Sequence, residues 1–213
     1  MPNRDLANIR NQYQRDALDW STVNHNPIVA LRNWIDDAIF TKHFEPTAMI
    51  IASCDASGQP HARVVLLKDI DTGLVFYTNY DSPKGQEFAN NPKAACTFFW
   101  SELERQIRVE GTVSKVSEST SSHYFASRPR DSQLAACASR QGKVIDSREI
   151  LEADFTRLAA QFEGKEINRP DNWGGYRLTP TRFEFWQGRP NRLHDRLVFR
   201  LDGTSWQHER LSP

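Results

Sequence analysis

The sequence predicts an α+β fold, a mostly antiparallel β-barrel with helices on its flanks. Three observations predict it. Short β-branched or aromatic runs recur between turn clusters, such as Asp-Ala-Ser-Gly-Gln-Pro at 55–60 and Asp-Thr-Gly at 71–73. Helical periodicity is confined to a few segments and never alternates with strands as in a βαβ chain. The late strands need partners from the early ones, and no linker, repeat or low-complexity segment divides them. The expected organisation is a mobile polar arm over 1–25 followed by one domain over 26–213.

Along the chain, Asn26 and Pro27 read as a helix N-cap and first helical residue. Ile28, Leu31, Trp34, Ile35, Ala38 and Ile39 then follow at helical spacing. Strands at 47–54, 61–68 and 74–79 read as a meander, and 84–90 as a short helix stopped by Asn90-Asn91-Pro92. Two more strands are expected at 94–100 and 106–116. Residues 117–138 are helical in composition, with Pro129 starting a fresh helix. Asp146 and Glu149 resemble a capping box ahead of an amphipathic helix carrying Leu151, Phe155, Leu158 and Phe162. Four strands close the chain, at 173–178, 182–187, 192–201 and 204–210.

Composition narrows the partners. Lys+Arg and Asp+Glu are 27 each, so the net charge is zero, which argues against a nucleic-acid binder or a polybasic membrane-surface protein. Arginine dominates the cations, 20 against 7 lysines. Either this is a compositional bias, or some arginines grip specific anions with their planar fork of donors. The apolar fraction of 38% makes for a modest core, so burial against a second copy is expected. No apolar run has the length of a membrane span, and the start shows no signal-peptide pattern. Cys54, Cys96 and Cys137 are odd in number and far apart, which fits a reduced cytoplasmic protein without a disulfide framework or a metal site. Walker, G-x-G-x-x-G, H-E-x-x-H and G-x-S-x-G patterns are absent.

Five segments carry candidate chemistry. In Arg192-Leu193-His194-Asp195-Arg196, strand alternation would place Arg192, His194 and Arg196 on one face, either as an anion site or as a solvated edge. Arg63 and Lys68 bracket an apolar strand and, five apart, would face opposite ways unless a bulge realigns them. Ser82-Pro83-Lys84 opens a helix, whose N-terminal N–H groups suit a phosphate that Lys84 could also reach. Tyr124, Arg128 and Ser132, four apart, would line up three donors for a phosphate monoester. Trp173-Gly-Gly-Tyr176 and Arg182–Gly188 are dense in aromatics, suited to a core or to a flat heteroaromatic ligand.

Taken in order, R-V-V-L-L-K, F-Y-T-N, E-R-Q-I-R-V-E-G, Y-F-x-S-R-P-R-D-S-Q, W-G-G-Y, E-F-W-Q-G, N-R-L-H-D-R and the terminal E-R-L-S-P resemble the pyridoxamine 5′-phosphate oxidase family, from about Asn26 to the end. The resemblance implies a homodimeric split β-barrel of the FMN-binding type, with two FMN molecules between the subunits. It implies FMN contacts from Arg63, Val64, Val65, Leu66, Tyr77, Thr78, Lys84, Gln106, Gln141, Gly142, Trp186 and Arg196, some from the partner subunit. Lys68, Tyr124, Arg128 and Ser132 would hold the substrate phosphate, and Arg192 and His194 would act at the substrate ring as the catalytic pair. An arm like Arg10–Tyr13 closes over the substrate in some members. The implied reaction is oxidation of pyridoxamine or pyridoxine 5′-phosphate to pyridoxal 5′-phosphate, with dioxygen reduced to hydrogen peroxide. Two positions depart from the family: Pro83 stands where an arginine is usual, and Gly142 where a serine is usual. Restoring the arginine is expected to tighten FMN. Two other functions stay open here, a non-catalytic FMN or pyridoxal-phosphate binder on the same barrel and a flavin reductase of the same fold.

Overall fold

A computed structural model describes residues 5–9 and 11–213. The chain forms α1 (Pro27–Phe40), β1 (Ala48–Cys54), β2 (Pro60–Leu66), β3 (Asp69–Ile70), β4 (Leu74–Asn79), α2 (Pro83–Asn90), β5 (Lys93–Trp100), β6 (Arg105–Lys115), α3 (Glu118–Ser127), α4 (Arg130–Ala138), α5 (Arg148–Gln161), β7 (Trp173–Gln187), β8 (Asp195–Asp202) and β9 (Ser205–Leu211). The strands run β2-β1-β5-β6-β7-β4-β3 in one sheet, with β8 paired to β7 and β9 to β8. The β1–β2, β3–β4, β4–β7, β7–β8 and β8–β9 pairings are antiparallel. The expected α+β class with its antiparallel sheet is therefore what the chain adopts. No helix among the described residues is long and apolar enough to cross a membrane.

Two compact units divide the chain. The first holds the described residues up to Thr47, with Thr97–Val109 and Thr181–Pro213. Its helix α1 starts as expected: the Asn26 side chain accepts from the Ile28 and Val29 N–H groups, and Pro27 fills the first position. The buried stripe runs through Ala30, Leu31, Trp34, Ile35 and Ala38, while Ile39 is turned to solvent at 52% exposure. Trp34 packs edge-on against Phe185 at 5.1 Å, over a core of Phe98, Trp100, Phe183, Leu197 and Phe199. Full burial of such side chains stabilises by roughly 1.5–3 kcal/mol each. In the N-terminal segment Leu18 and Val23 are buried, and the Leu18 N–H donates to Asp195 Oδ2 at 3.1 Å.

The second unit is Ala48–Cys96 with Glu110–Pro180. Met49, Ile51, Leu74, Phe76, Phe88 and Leu178 form its core. A further cluster joins Phe125, Leu134, Ile167 and Trp173, and the α5 residues Phe155 and Leu158 pack on it while staying partly exposed. The Cys96 thiol is buried, which pushes its pKa up. All three cysteines are free thiols.

Four expectations need correction. Residues 173–187 form one strand, not two. Its ladder passes from β4, ending at Leu178, to β8, beginning at Arg182, so Pro180 falls where neither ladder needs its missing N–H. The strand expected over 192–201 starts only at Asp195. Ahead of it Pro190–Arg192 make a tight 3-10 turn, with Asn191 (φ 57) and Arg192 (φ 62) in the left-handed region that no ladder accepts. Arg192 and His194 therefore precede the strand, and alternation does not set them on one face with Arg196. Asp146 does not cap α5: its N-cap is Ser147, which makes no side-chain cap bond. Finally, α3 stops at Ser127 because Arg128, preceding Pro129, is driven to extended backbone (ψ 150). Tyr124, Arg128 and Ser132 are thus not stacked on one helix.

Candidate functional site

In the second unit a cavity of about 500 Å³ lies among β2, β4, α2 and the α3–α4 junction. It is lined by Arg63, Val64, Val65, Leu66, Lys68, Tyr77, Thr78, Lys84, Tyr124, Arg128, Gln141 and Trp173. Arg63 and Lys68 reach one cavity because β2 ends at Leu66, so no alternation connects them; the Lys68 N–H donates to Val75 O at 2.8 Å instead. Four cations and no carboxylate line the space, a donor set built for anions.

Helix α2 delivers Lys84. Ser82 caps it by accepting from the Gly85 N–H, and Pro83 occupies its first position. Lys84 is buried, donating from Nζ to Gln141 Oε1 at 2.8 Å and to Ser82 Oγ at 3.2 Å. Burial, then the nearby charge of Arg63, lowers its pKa to about 8. Thr78 Oγ1 donates to the same Gln141 oxygen at 2.8 Å. Next to Gln141, Gly142 has φ +81, and a Cβ there would lie 2.4 Å from Pro83 Cδ. The two departures from the family pattern thus touch each other: the proline's ring packs where a serine side chain would begin.

The opposite wall is aromatic. Tyr77 stacks on Tyr124 at 3.9 Å and on Trp173 at 5.6 Å, with Tyr124 and Trp173 only 6° from parallel. Arg128 lies over the Trp173 ring at 4.6 Å. Its Nη1 is buried without a hydrogen-bond partner, and burial lowers the guanidinium's pKa. A buried unpaired donor costs about 1–3 kcal/mol. Such a group is tolerated where a ligand satisfies it. Ser132, in the first turn of α4, is not among the lining residues.

The first unit holds the remaining expected residues. A cavity of about 490 Å³ there is lined in part by Tyr13, Arg189, Asn191, Arg192 and His194. His194 Nδ1 accepts from the Arg189 N–H at 3.0 Å, which leaves the proton of a neutral ring on Nε2. Desolvation, then the charge of Arg192, lowers the His194 pKa. Its ring sits 4.6 Å from Trp186 and 5.8 Å from Tyr13. Tyr13 covers Gly188, where any Cβ would lie 2.7 Å from the ring. Arg192 has no carboxylate partner among the described residues, whereas Arg196 is clamped by the buried Glu184, with Nε at 2.9 Å and Nη2 at 2.8 Å. Gln106 is half-buried on β6. Arg10 lies outside the described residues.

Trp173, legible in the sequence as either core or ligand-facing, lines the cavity, whereas the two buried glutamates, Glu87 and Glu184, are not legible there as site residues. Trp173 carried a signal, the two glycines after it: a Cβ at Gly174 would lie 2.1 Å from the Tyr80 hydroxyl. The glutamates carried none, because burial of an acid is decided by where its cations fold.

A family model described as Pyridoxamine 5′-phosphate oxidase matches residues 35–162, and one described as the Pyridoxine 5′-phosphate oxidase C-terminal dimerisation region matches 173–213. The chain is 50% identical over 209 residues to a pyridoxine/pyridoxamine 5′-phosphate oxidase from Cyanothece sp., covering 98% of each chain. It is also 50% identical over 212 residues to one from Burkholderia mallei, covering 98% of this chain and 99% of the other. Among solved structures, PhzG from Burkholderia lata, in complex with tetrahydrophenazine-1-carboxylic acid, superposes with a TM-score of 0.88 at 31% identity, covering 93% of this chain and 98% of that one. A pyridoxamine 5′-phosphate oxidase-related, FMN binding protein from Nostoc punctiforme shares the fold at a TM-score of 0.70 and 16% identity, covering 85% and 97%. The fold is the split barrel of this group.

Proposed function

Because the chain belongs to the pyridoxamine 5′-phosphate oxidase family, we propose that it oxidises pyridoxamine and pyridoxine 5′-phosphates to pyridoxal 5′-phosphate with FMN as its cofactor. The observation that carries this reading is the second unit's cavity, with four cations, no carboxylate and an unsatisfied buried Arg128 Nη1. A phosphate monoester supplies the acceptors these donors lack. The residues present fit FMN: the cavity volume of about 500 Å³ is of cofactor-site size. When bound, FMN would supply the two-electron acceptor for oxidation at substrate C4′ and the means of returning those electrons to dioxygen as hydrogen peroxide.

The chain's own residues divide the remaining work. Arg63 and Lys84 would hold the flavin phosphate, with Thr78 and Gln141 beside them and Val64, Val65, Leu66 and Tyr77 along the cofactor, while Gly142, next to Gln141 but not among the lining residues, would offer its backbone N–H. Gln106, Trp186 and Arg196 would complete the flavin site. Lys68, Tyr124, Arg128 and Ser132 would grip the substrate phosphate, so that binding energy at this remote end aligns the reacting carbon. Arg192 and His194 would meet the pyridine ring, Arg192 as an unpaired cation and His194 as an N–H donor from Nε2. Tyr13, with Arg10, would close over it from the N-terminal arm. The match to a dimerisation region supports a homodimer in which some of these residues come from the partner, and three free thiols suit a cytoplasmic setting.

The test is direct. Purified protein should carry a flavin spectrum, and should release hydrogen peroxide on adding pyridoxamine or pyridoxine 5′-phosphate. A preparation that binds FMN but stays inert on both substrates would overturn the oxidase assignment in favour of a binding protein or a reductase.

A further inference from the structure

Glu87 does not line the second unit's cavity, yet the residue is only 6% exposed and its carboxylate is fully engaged. Oε2 accepts from Arg63 Nη2 at 3.1 Å and from the Ser53 hydroxyl, while Oε1 meets His61 Nδ1 at 2.7 Å. Ser53 Oγ in turn accepts from Arg63 Nη1 at 2.5 Å. Three elements converge to build this. The β1–β2 register sets Ile51 opposite Arg63 and Ser53 opposite His61, which brings Ser53, His61 and Arg63 together on one hairpin. Helix α2 adds Glu87 one turn beyond Lys84, so one short helix brings a cation to the cavity and an anion to Arg63 behind it. Burial pushes the Glu87 carboxyl up, but the Ser53 and His61 bonds and the Arg63 charge outweigh it and hold the group ionised.

An anion set against one of only four cavity cations lowers the charge available to a phosphate. What it provides in exchange is geometry. A guanidinium has five N–H groups in one plane. Those on Nη1 are spent on Ser53 Oγ and, at 3.5 Å, on Ile51 O, and one on Nη2 is spent on Glu87. The Nε–H and the second Nη2–H have no protein acceptor among the described residues. With three donors tied down, the plane of the remaining two is set before any ligand arrives.

We propose that Glu87 is a positioning residue for the phosphate end of the flavin site: with Ser53 it locks Arg63 so that the free donors of the guanidinium are pre-set for the FMN phosphate. This rests on the flavin reading above. It assigns Glu87 no contact with cofactor or substrate.

The experiment titrates apoprotein with FMN and with riboflavin, which lacks the phosphate, following quenching of flavin fluorescence. The wild type, Glu87→Gln, Glu87→Ala and Ser53→Ala are compared. In Glu87→Ala the preference for FMN over riboflavin should fall roughly tenfold, the equivalent of about one charge-assisted hydrogen bond, with riboflavin affinity unchanged. Glu87→Gln keeps an acceptor oxygen without the charge and should fall in between, and it carries the test if the alanine variant does not fold. An unchanged or increased FMN preference in both Glu87 variants overturns the proposal, since the carboxylate would then only oppose the phosphate. So does a parallel loss of both affinities, which marks a purely structural role. A wild type that shows no preference for FMN over riboflavin overturns the flavin-phosphate reading itself, and this proposal with it.

Discussion

In the first unit Arg108, Arg182 and Arg196 converge on Glu184, Arg105 reaches Asp16 and Asp37, and Arg210 reaches Asp19 and Asp195. In the second unit's cavity Lys68, Lys84 and Arg128 meet no carboxylate among the described residues. The two groups of cations therefore do different work. Paired arginines tie segments of the first unit together, and Arg105, Arg108, Arg182 and Arg210 have carboxylate partners without a ligand, while Glu184 also holds in place Arg196, the one of this group proposed for the flavin site. Of the four cavity cations Arg63 alone has a carboxylate, Glu87 behind the cavity; the buried Lys84 is held by neutral oxygens and Arg128 lies against an aromatic face, so their charges call for an anion. Arg192, in the first unit, has no carboxylate partner among the described residues and sits on strained backbone (φ 62), so it belongs functionally with the cavity set.

If that contrast is right, breaking a paired cluster should cost stability, and removing a cavity cation should cost binding. The largest effect is expected at Glu184. Replacing it by Ala leaves three guanidiniums around a buried vacancy and should destabilise by about 3 kcal/mol, read as a shift of the urea midpoint. A loss under about 1 kcal/mol would erase the distinction. Next, Arg192→Leu should cut turnover by roughly 100-fold, about 2.7 kcal/mol of transition-state stabilisation, with FMN affinity nearly unchanged. Near-normal turnover with flavin bound would remove Arg192 from the catalytic pair.

Arg128→Leu should raise KM for pyridoxamine 5′-phosphate by about 10- to 100-fold while leaving the apoprotein as stable or slightly more so. A marked loss of apoprotein stability would put Arg128 with the structural arginines instead. At Gly142, substitution by Ala combines φ +81 with a Cβ 2.4 Å from Pro83 Cδ. It should cost about 1–2 kcal/mol in thermal unfolding, and adding Pro83→Ala should recover only the part due to the clash. An equal recovery of the whole loss would show that the backbone angle is not strained.

The smallest expected effect is the pH dependence of Lys84. Its folded pKa of about 8 lies below the ordinary 10.5, so apoprotein loses this proton as pH rises through 8. The unfolded chain binds more protons between these values, so the cost of burying the charged lysine is present below pH 8 and is relieved toward 10.5. A bound phosphate favours the charged form. FMN affinity should therefore fall by about three- to tenfold between roughly pH 7.5 and 9. Lys84→Met should flatten that slope, and a slope that survives in the variant would assign it elsewhere.

Local signals in the chain were enough for many elements. Asn26-Pro27 starts α1, Ser82-Pro83 starts α2, and the turn clusters bound β1, β2 and β4. These devices act over a few residues, where capping bonds and fixed φ values are written directly in the residue types. The errors lay where a neighbour in space overrode the local pattern. Residues 173–178 and 182–187 read as two strands, but β4 and β8 hand over their ladders around Pro180 and make them one. The run from Arg192 to Arg196 has a strand-like alternation, but Pro190 and two left-handed residues precede the strand.

The sequence by itself determined the starts of α1 and α2, the antiparallel sheet class and most of the residues that line the second unit's cavity, because those follow from short-range chemistry and from motifs in a fixed order. The tertiary structure alone decided which charges are neutralised. Glu87 comes to Arg63 across 24 residues, Glu184 gathers Arg108 across 76, and Arg128 Nη1 is left without a hydrogen-bond partner. Charge pairing depends on distances of a few ångströms after folding, and nothing in the spacing of residues along a chain reports those distances.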